Sequence, residues 1–205
     1  MSSFRYTRPD NFPPVVKNLL ILNGLVFVAQ LIFENQGTNL LLYGGLVNWR
    51  YDEFKPYQFF THMFMHGDFF HILFNMFGLW MFGRILETVM GPRRFLLLYF
   101  ISGIAAALLQ QIMGGFLVAI GASGAVMGVF AAFAYLFPNT ELFFMFIPVP
   151  VKAKYAIPGL MALDLFGAIS KVPGDNVAHW AHLGGAAAGF LLVLFWNKTN
   201  RNSFY

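Results

Sequence analysis

Three short stretches of this chain hold the residue types that acyl transfer needs. The first is Gly121-Ala122-Ser123-Gly124-Ala125, the second His182-Leu183-Gly184-Gly185, and the third His71 with Asn75 four residues on. A serine hydroxyl is a weak nucleophile until a base takes its proton, and imidazole is the usual base near neutral pH. Ser123 and His182 are therefore candidates for nucleophile and general base. Attack on a carbonyl places negative charge on its oxygen, and fixed donors there contribute about 3 kcal/mol each. An asparagine amide, an imidazole and the Ser123 backbone N–H could serve as those donors.

Each residue also has a plainer reading. A glycine-flanked serine in an apolar helix is commonly a packing residue, and a lone histidine or asparagine often hydrogen-bonds a neighbouring helix. What favours chemistry is the pattern around them. Gly124 and Gly128 make a small-residue face on one helix, and Gly185 and Gly189 make a matching face on another. His182 precedes that second face by three and seven residues and lies on the same side. Packing the two faces together brings Ser123 and His182 within reach. The stretch is not the nucleophile elbow of soluble hydrolases, since no strand precedes it. His62, His66 and His71 raise a metal site, but the glutamate of a metalloprotease helix is missing, so no metal is expected. No third catalytic member is evident. Glu87 lies about 18 Å further along its helix than Asn75, and the direction of Asp164 cannot be read from sequence. A Ser–His dyad is the simpler expectation.

The elements that must position these residues are membrane helices. Of 205 residues, 58% are apolar and 11% charged, too much apolar surface for a wetted exterior. With no cysteine, disulfides and thiolate metal sites are excluded. The net charge of +4 comes from basic residues scattered between apolar runs, which fits membrane topology better than a nucleic-acid partner. Six stretches approach the roughly 20 residues of a membrane span. They are 15–33, a second following His62 to about 85, then 95–113, 121–137, 155–169 and 178–196, with 142–151 as an interfacial connection broken by Pro148 and Pro150. The chain reads as an all-α six-helix bundle over 15–197, with cytoplasmic flanks at 1–14 and 198–205. With both termini inside, only Arg50, Lys55 and Lys171 of thirteen basic residues fall outside. That orientation puts His66, His71 and Asn75 on helix two, Ser123 on helix four, and His179 and His182 on helix six at one depth, towards the outer face. Polar groups at such depth usually face a bundle interior or a wet cavity.

These residues, in this order, resemble the rhomboid family of intramembrane serine proteases. The matching pieces are His66 with His71-Ile72-Leu73-Phe74-Asn75, Gly121-Ala122-Ser123-Gly124, and Ala181-His182 with Gly185 and Gly189; Glu87 and Met90-Gly91 fit the end of the second helix. The resemblance runs from about residue 15 to 196. It implies a six-helix core, cleavage of single-span membrane proteins by a Ser123–His182 dyad without cofactor, and an oxyanion site from Ser123 N–H, His71 and Asn75. It also implies a substrate gate made by helix five and the loop before helix six, a membrane-embedded first loop at 37–56, and a preference for small residues at the cleavage point. Two positions depart from the family pattern. Tyr57-Gln58 stand where many relatives carry Trp-Arg, and Met127 stands where an aromatic stacks on the histidine; a methionine can also pack on an imidazole.

The expected partners are transmembrane substrates and the lipid bilayer, and the expected compartment is a bacterial inner membrane. A non-catalytic rhomboid-like binder in quality control is the main alternative, though such relatives lack the serine or the histidine. A small-solute transporter is a second, but inverted halves are not found.

Overall fold

A computed structural model describes residues 12–114, 117–144, 147–170 and 175–199. Arg5, Arg8, Lys171 and Arg201, which enter the charge argument, lie outside the described residues. The chain is mostly helical. Helix α1 is Pro14–Asn35, followed by a short α2 at Leu41–Gly44 and a two-residue strand β1 at Leu46–Val47. The α3 turn at Gln58–Thr61 runs into a 3-10 turn at His62–Phe64. Next come α4 (Phe69–Gly78), a π-helical segment (Leu79–Gly83) and α5 (Arg84–Met90), which together form one rod. Helix α6 (Pro92–Met113), strand β2 (Val118–Ala119) and α7 (Ser123–Leu136) follow. Strands β3 (Glu141–Phe144) and β4 (Ile147–Lys152) lead to α8 (Ala153–Ser170) and α9 (His179–Thr199).

Four of these are long and apolar enough to cross a membrane: Pro14–Asn35, Phe69–Met90, Pro92–Met113 and His179–Thr199. The other two expected spans differ in kind. Helix α7 has 14 residues, about 21 Å of rise, and α8 carries Lys154, Asp164 and an internal Pro158. The exposed side chains on the helices are largely lipid-compatible, among them Leu25, Phe70, Phe166 and Leu191.

One expectation is corrected. The second helix starts at Phe69, where the Asp68 side chain caps it by accepting from His71 N–H, so His66 lies in the preceding loop rather than on the helix. The connection expected at 142–151 takes the form of an antiparallel β-hairpin, Glu141 opposite Lys152 and Leu142 opposite Val151. Pro148 and Pro150 exclude a helix here and are tolerated in the edge strands of a two-stranded hairpin.

The centre of the bundle is α7, packed on α6 and α9 through small residues. A Cβ on Gly185 would meet the Gly124 carbonyl, and one on Gly189 would meet the Gly128 carbonyl. Gly128 itself faces Ser102 of α6. The paired faces expected from sequence therefore form a backbone-to-backbone contact. Glu87 closes the other end of the molecule. Its buried carboxylate accepts from Val15 N–H at 2.9 Å and Val16 N–H at 2.8 Å, satisfying the first turn of α1.

The loop ahead of the second helix is held by side-chain amides. Gln58, 1% exposed, accepts from Val47 N–H (3.2 Å) and Lys55 N–H (3.1 Å) and donates to the Tyr43 and Glu53 carbonyls. Gln111 of α6 accepts from Trp49 N–H and donates to the Val47 carbonyl. Thus Gln58, one of the two positions expected to depart from the family pattern, ties down the first loop by hydrogen bonds. Gln30 makes a two-way bond with the backbone of His66, donating to its carbonyl and accepting its N–H.

Two predictions follow from this packing. Gly185→Ala and Gly189→Ala drive a methyl into backbone and cost about 1–3 kcal/mol, whereas Gly24→Ala, with open space around it, is neutral. Thermal unfolding in detergent tests this; equal midpoints for all three would contradict it. Burial lowers His62 to about 4, and burial with the nearby His71 lowers His66 to about 4. Since the unfolded rings bind protons near pH 6.5 and the folded ones do not, stability is complete above that pH. It falls by about 1.4 kcal/mol per ring per pH unit as pH drops from 6.5 to 4. His62→Gln and His66→Gln each make this acid slope shallower, read from melting midpoints across that range.

Candidate active site

The site grows from the entry to α7. Gly121 has φ +115°, which side-chain-bearing residues rarely adopt, and a Cβ there would strike the His71 ring. Its N–H donates to the His62 carbonyl at 2.9 Å. The glycine turns the chain so that Ser123 opens α7, where the first-turn N–H groups have no intrahelical acceptor and the helix dipole is positive.

On the facing helix, His182 presents Nε2 to the Ser123 Oγ at 2.9 Å. The glycine contact between α7 and α9 begins one residue after Ser123 and three residues after His182. Its Nδ1 lies 2.9 Å from Asp164 Oδ1 of α8. That carboxylate also takes His179 Nδ1 at 2.7 Å, and His179 Nε2 reaches Asp175 Oδ2 at 2.9 Å. Asp164 was the residue whose direction the sequence left open, and here it stands behind the histidine. An acid at 164 and histidines at 179 and 182 were visible as residue types, but only the helix crossing could pair them.

Ser123, His182, His71, Asn75 and Met127 all line one cavity of about 610 Å³. Gly67, Asp68 and the Asn176-Val177-Ala178 segment also line it, and Phe74, Val126 and Phe130 add apolar surface. His71 Nδ1 accepts from Gly67 N–H at 3.3 Å, which leaves Nε2 as the protonated nitrogen beside Gly121. Asn75 Nδ2 donates to the His71 carbonyl at 2.9 Å with one hydrogen, leaving the second for another acceptor. His66 is not at the cavity wall. It is 1% exposed and packs edge-on to the His71 ring at 5.1 Å, so it supports His71 from behind. Met127 sits one turn beyond Ser123.

Asp164, His179 and His182 have ligand-type atoms within 4.8 Å of one another, a grouping able to hold an ion. Those atoms are mutually engaged in the hydrogen bonds just described. In chemical terms the site offers a hydroxyl bonded to an imidazole, donors opposite them, and a partly apolar cavity. That set suits acyl transfer.

Comparison with known proteins agrees with the fold. The Rhomboid domain family model matches residues 53–198. "Rhomboid protein 1, mitochondrial" of Saccharomyces cerevisiae is 36% identical over 144 residues, covering 66% of this chain and 40% of that protein. "Presenilin-associated rhomboid-like protein, mitochondrial" of Homo sapiens is 31% identical over 137 residues, covering 64% of this chain and 36% of that protein. "Rhomboid-like protein 11, chloroplastic" of Arabidopsis thaliana is 29% identical over 188 residues, 88% of this chain and 64% of that protein. The match thus spans about two fifths of the yeast and human relatives. Their names carry organelles, so the expected bacterial inner membrane gains no support from them. From the matched domain and the apolar helices, the chain is an integral membrane protein of the rhomboid family.

Proposed function

We propose that this protein is an intramembrane serine protease that hydrolyses peptide bonds in or near transmembrane segments of other membrane proteins. The observation that carries the reading is the 2.9 Å bond between Ser123 Oγ and His182 Nε2 inside a cavity of about 610 Å³. Ser123 attacks the scissile carbonyl while His182 takes its proton. The proton then passes to the leaving amine, and a water, activated by His182 in turn, hydrolyses the acyl-enzyme. The Ser123 N–H, His71 Nε2 and the second Asn75 hydrogen are the donors for the oxyanion. No cofactor takes part in these steps.

A substrate helix has to unwind locally to offer its carbonyl, because an intact helix keeps its carbonyls in hydrogen bonds. The preferred segment is therefore one with weakened helicity, and small residues suit the cleavage point. In this reading α7 and α8 serve as the fourth and fifth of six spans, the protease domain covers 15–197, and both ends lie on the cytoplasmic side. A non-catalytic binder built on the same scaffold would have no use for a bonded Ser–His pair, which weighs against that alternative.

The decisive experiment uses the full chain purified in detergent with a single-span substrate. Ser123→Ala and His182→Ala each lose about 10³-fold or more in kcat/KM while unfolding at the wild-type temperature. A fluorophosphonate labels the wild type at Ser123 and labels neither variant. Undiminished cleavage by either variant would reject the mechanism.

A further inference from the structure

We propose that Asp164 is the positioning residue of the His182 base, so that serine, histidine and carboxylate form one chain across α7, α9 and α8. The inference deepens the reading of Ser123 and His182 above and rests on it. Asp164 lies among apolar residues of α8, six residues beyond Pro158, and is 7% exposed. A carboxylate in such surroundings is costly and persists where it is paired and hydrogen-bonded. Its Oδ1 has two partners, His182 Nδ1 at 2.9 Å and His179 Nδ1 at 2.7 Å.

The bond to His182 decides which nitrogen carries the proton. A carboxylate oxygen only accepts, so Nδ1 must donate, and the neutral ring then keeps a lone pair on Nε2. Nε2 is the atom that faces Ser123 Oγ. The opposite tautomer would aim an N–H at the hydroxyl and could not take its proton. As the ring becomes imidazolium during attack, the carboxylate behind it opposes the new charge.

Asp164 is itself held. Both nitrogens of His179 face carboxylate oxygens, so both donate, which is the imidazolium form. That ring sits against Gly167 of α8, where a Cβ would collide with it. Asp175 also accepts from Val177 N–H at 2.9 Å, tying the segment before α9 to the same chain. The groups that face His182 are thus Ser123 from α7, Asp164 from α8, His179 on its own helix, and His71 across the cavity from α4.

The test reads the tautomer and the rate together in the full chain in detergent. In the wild type, nitrogen NMR of labelled histidine finds the His182 proton on Nδ1, with Nε2 unprotonated. Asp164→Asn and Asp164→Ala lower kcat about 10²-fold with KM little changed, slow fluorophosphonate labelling of Ser123 in proportion, and shift His182 towards the Nε2–H form. A purely structural role would not move the tautomer. Should neither variant fold, the wild-type spectrum alone decides, and a proton on Nε2 overturns the proposal. So does an Asp164→Asn enzyme within threefold of wild-type kcat. The underlying reading fails separately: Ser123→Ala would then cleave as well as the wild type, whatever Asp164 does.

Discussion

The distance between two helix backbones governs everything else in this molecule. Gly124 and Gly128 of α7 lie against Gly185 and Gly189 of α9 so closely that a single methyl would meet a carbonyl oxygen. In a lipid surround there is no hydrophobic gain in bringing apolar helices together, so close backbone packing supplies the attraction. Such a contact has little slack. It sets the spacing at the upper end of the two helices, where Ser123 and His182 project, to hydrogen-bond length. A looser interface built from leucines would hold the helices about 8–10 Å apart and let that spacing wander.

A second constraint follows from putting polar chemistry inside an apolar body. The cavity around the serine brings polar groups into that body, yet the backbone beside it cannot be left unsatisfied. The loop 37–56 and the segment before α7 solve this with side-chain amides and a short strand pair. Gln58 and Gln111 take up the orphan groups around Val47, Trp49 and Lys55, and β1 pairs with β2 so that Leu46 lies opposite Ala119. The result fixes Gly121 and hence the direction in which α7 begins. The backbone from Gly44 to Asn48, by contrast with the exposed stretch after it, is buried in protein.

Much of this was legible in the sequence. The spacing of Gly124 and Gly128 and of Gly185 and Gly189 specified a contact, because a helix repeats every 3.6 residues and small residues four apart must share a face. From that contact the meeting of Ser123 and His182 followed. Hydropathy located α1, α6 and α9 to within a few residues, since each is long and unbroken. It misplaced the start of the second helix, where His62 and His66 sit in apolar sequence that folds as a 3-10 turn and loop instead. There the determinant is the Asp68 cap and the tertiary bonds of Gln30, which no local pattern reveals. The role of Gln58 was hidden for the same reason: besides its near partners at Lys55 and Glu53, it joins the Val47 and Tyr43 backbone eleven and fifteen residues away.

Asp164 shows where such reading stops. An acid in a helix interrupted by proline could as well have faced a headgroup, a loop or another charge, and periodicity cannot choose among them. Its orientation depends on how α8 rotates against α9, where the His179 ring packs against the bare backbone of Gly167. Polar groups placed within apolar sequence nevertheless carry a usable constraint. Each must find a partner, and the candidates are few: among residues 153–199 the acids are Asp164 and Asp175, and the histidines are His179 and His182. Satisfying all four within one connected set leaves little choice of pairing. The hydrogen-bond chain from Ser123 to Asp175 is the arrangement in which every one of them is used. Its cost in desolvation is offset only while it remains whole, so α8, α9 and the loop between them are energetically bound to the geometry of the serine.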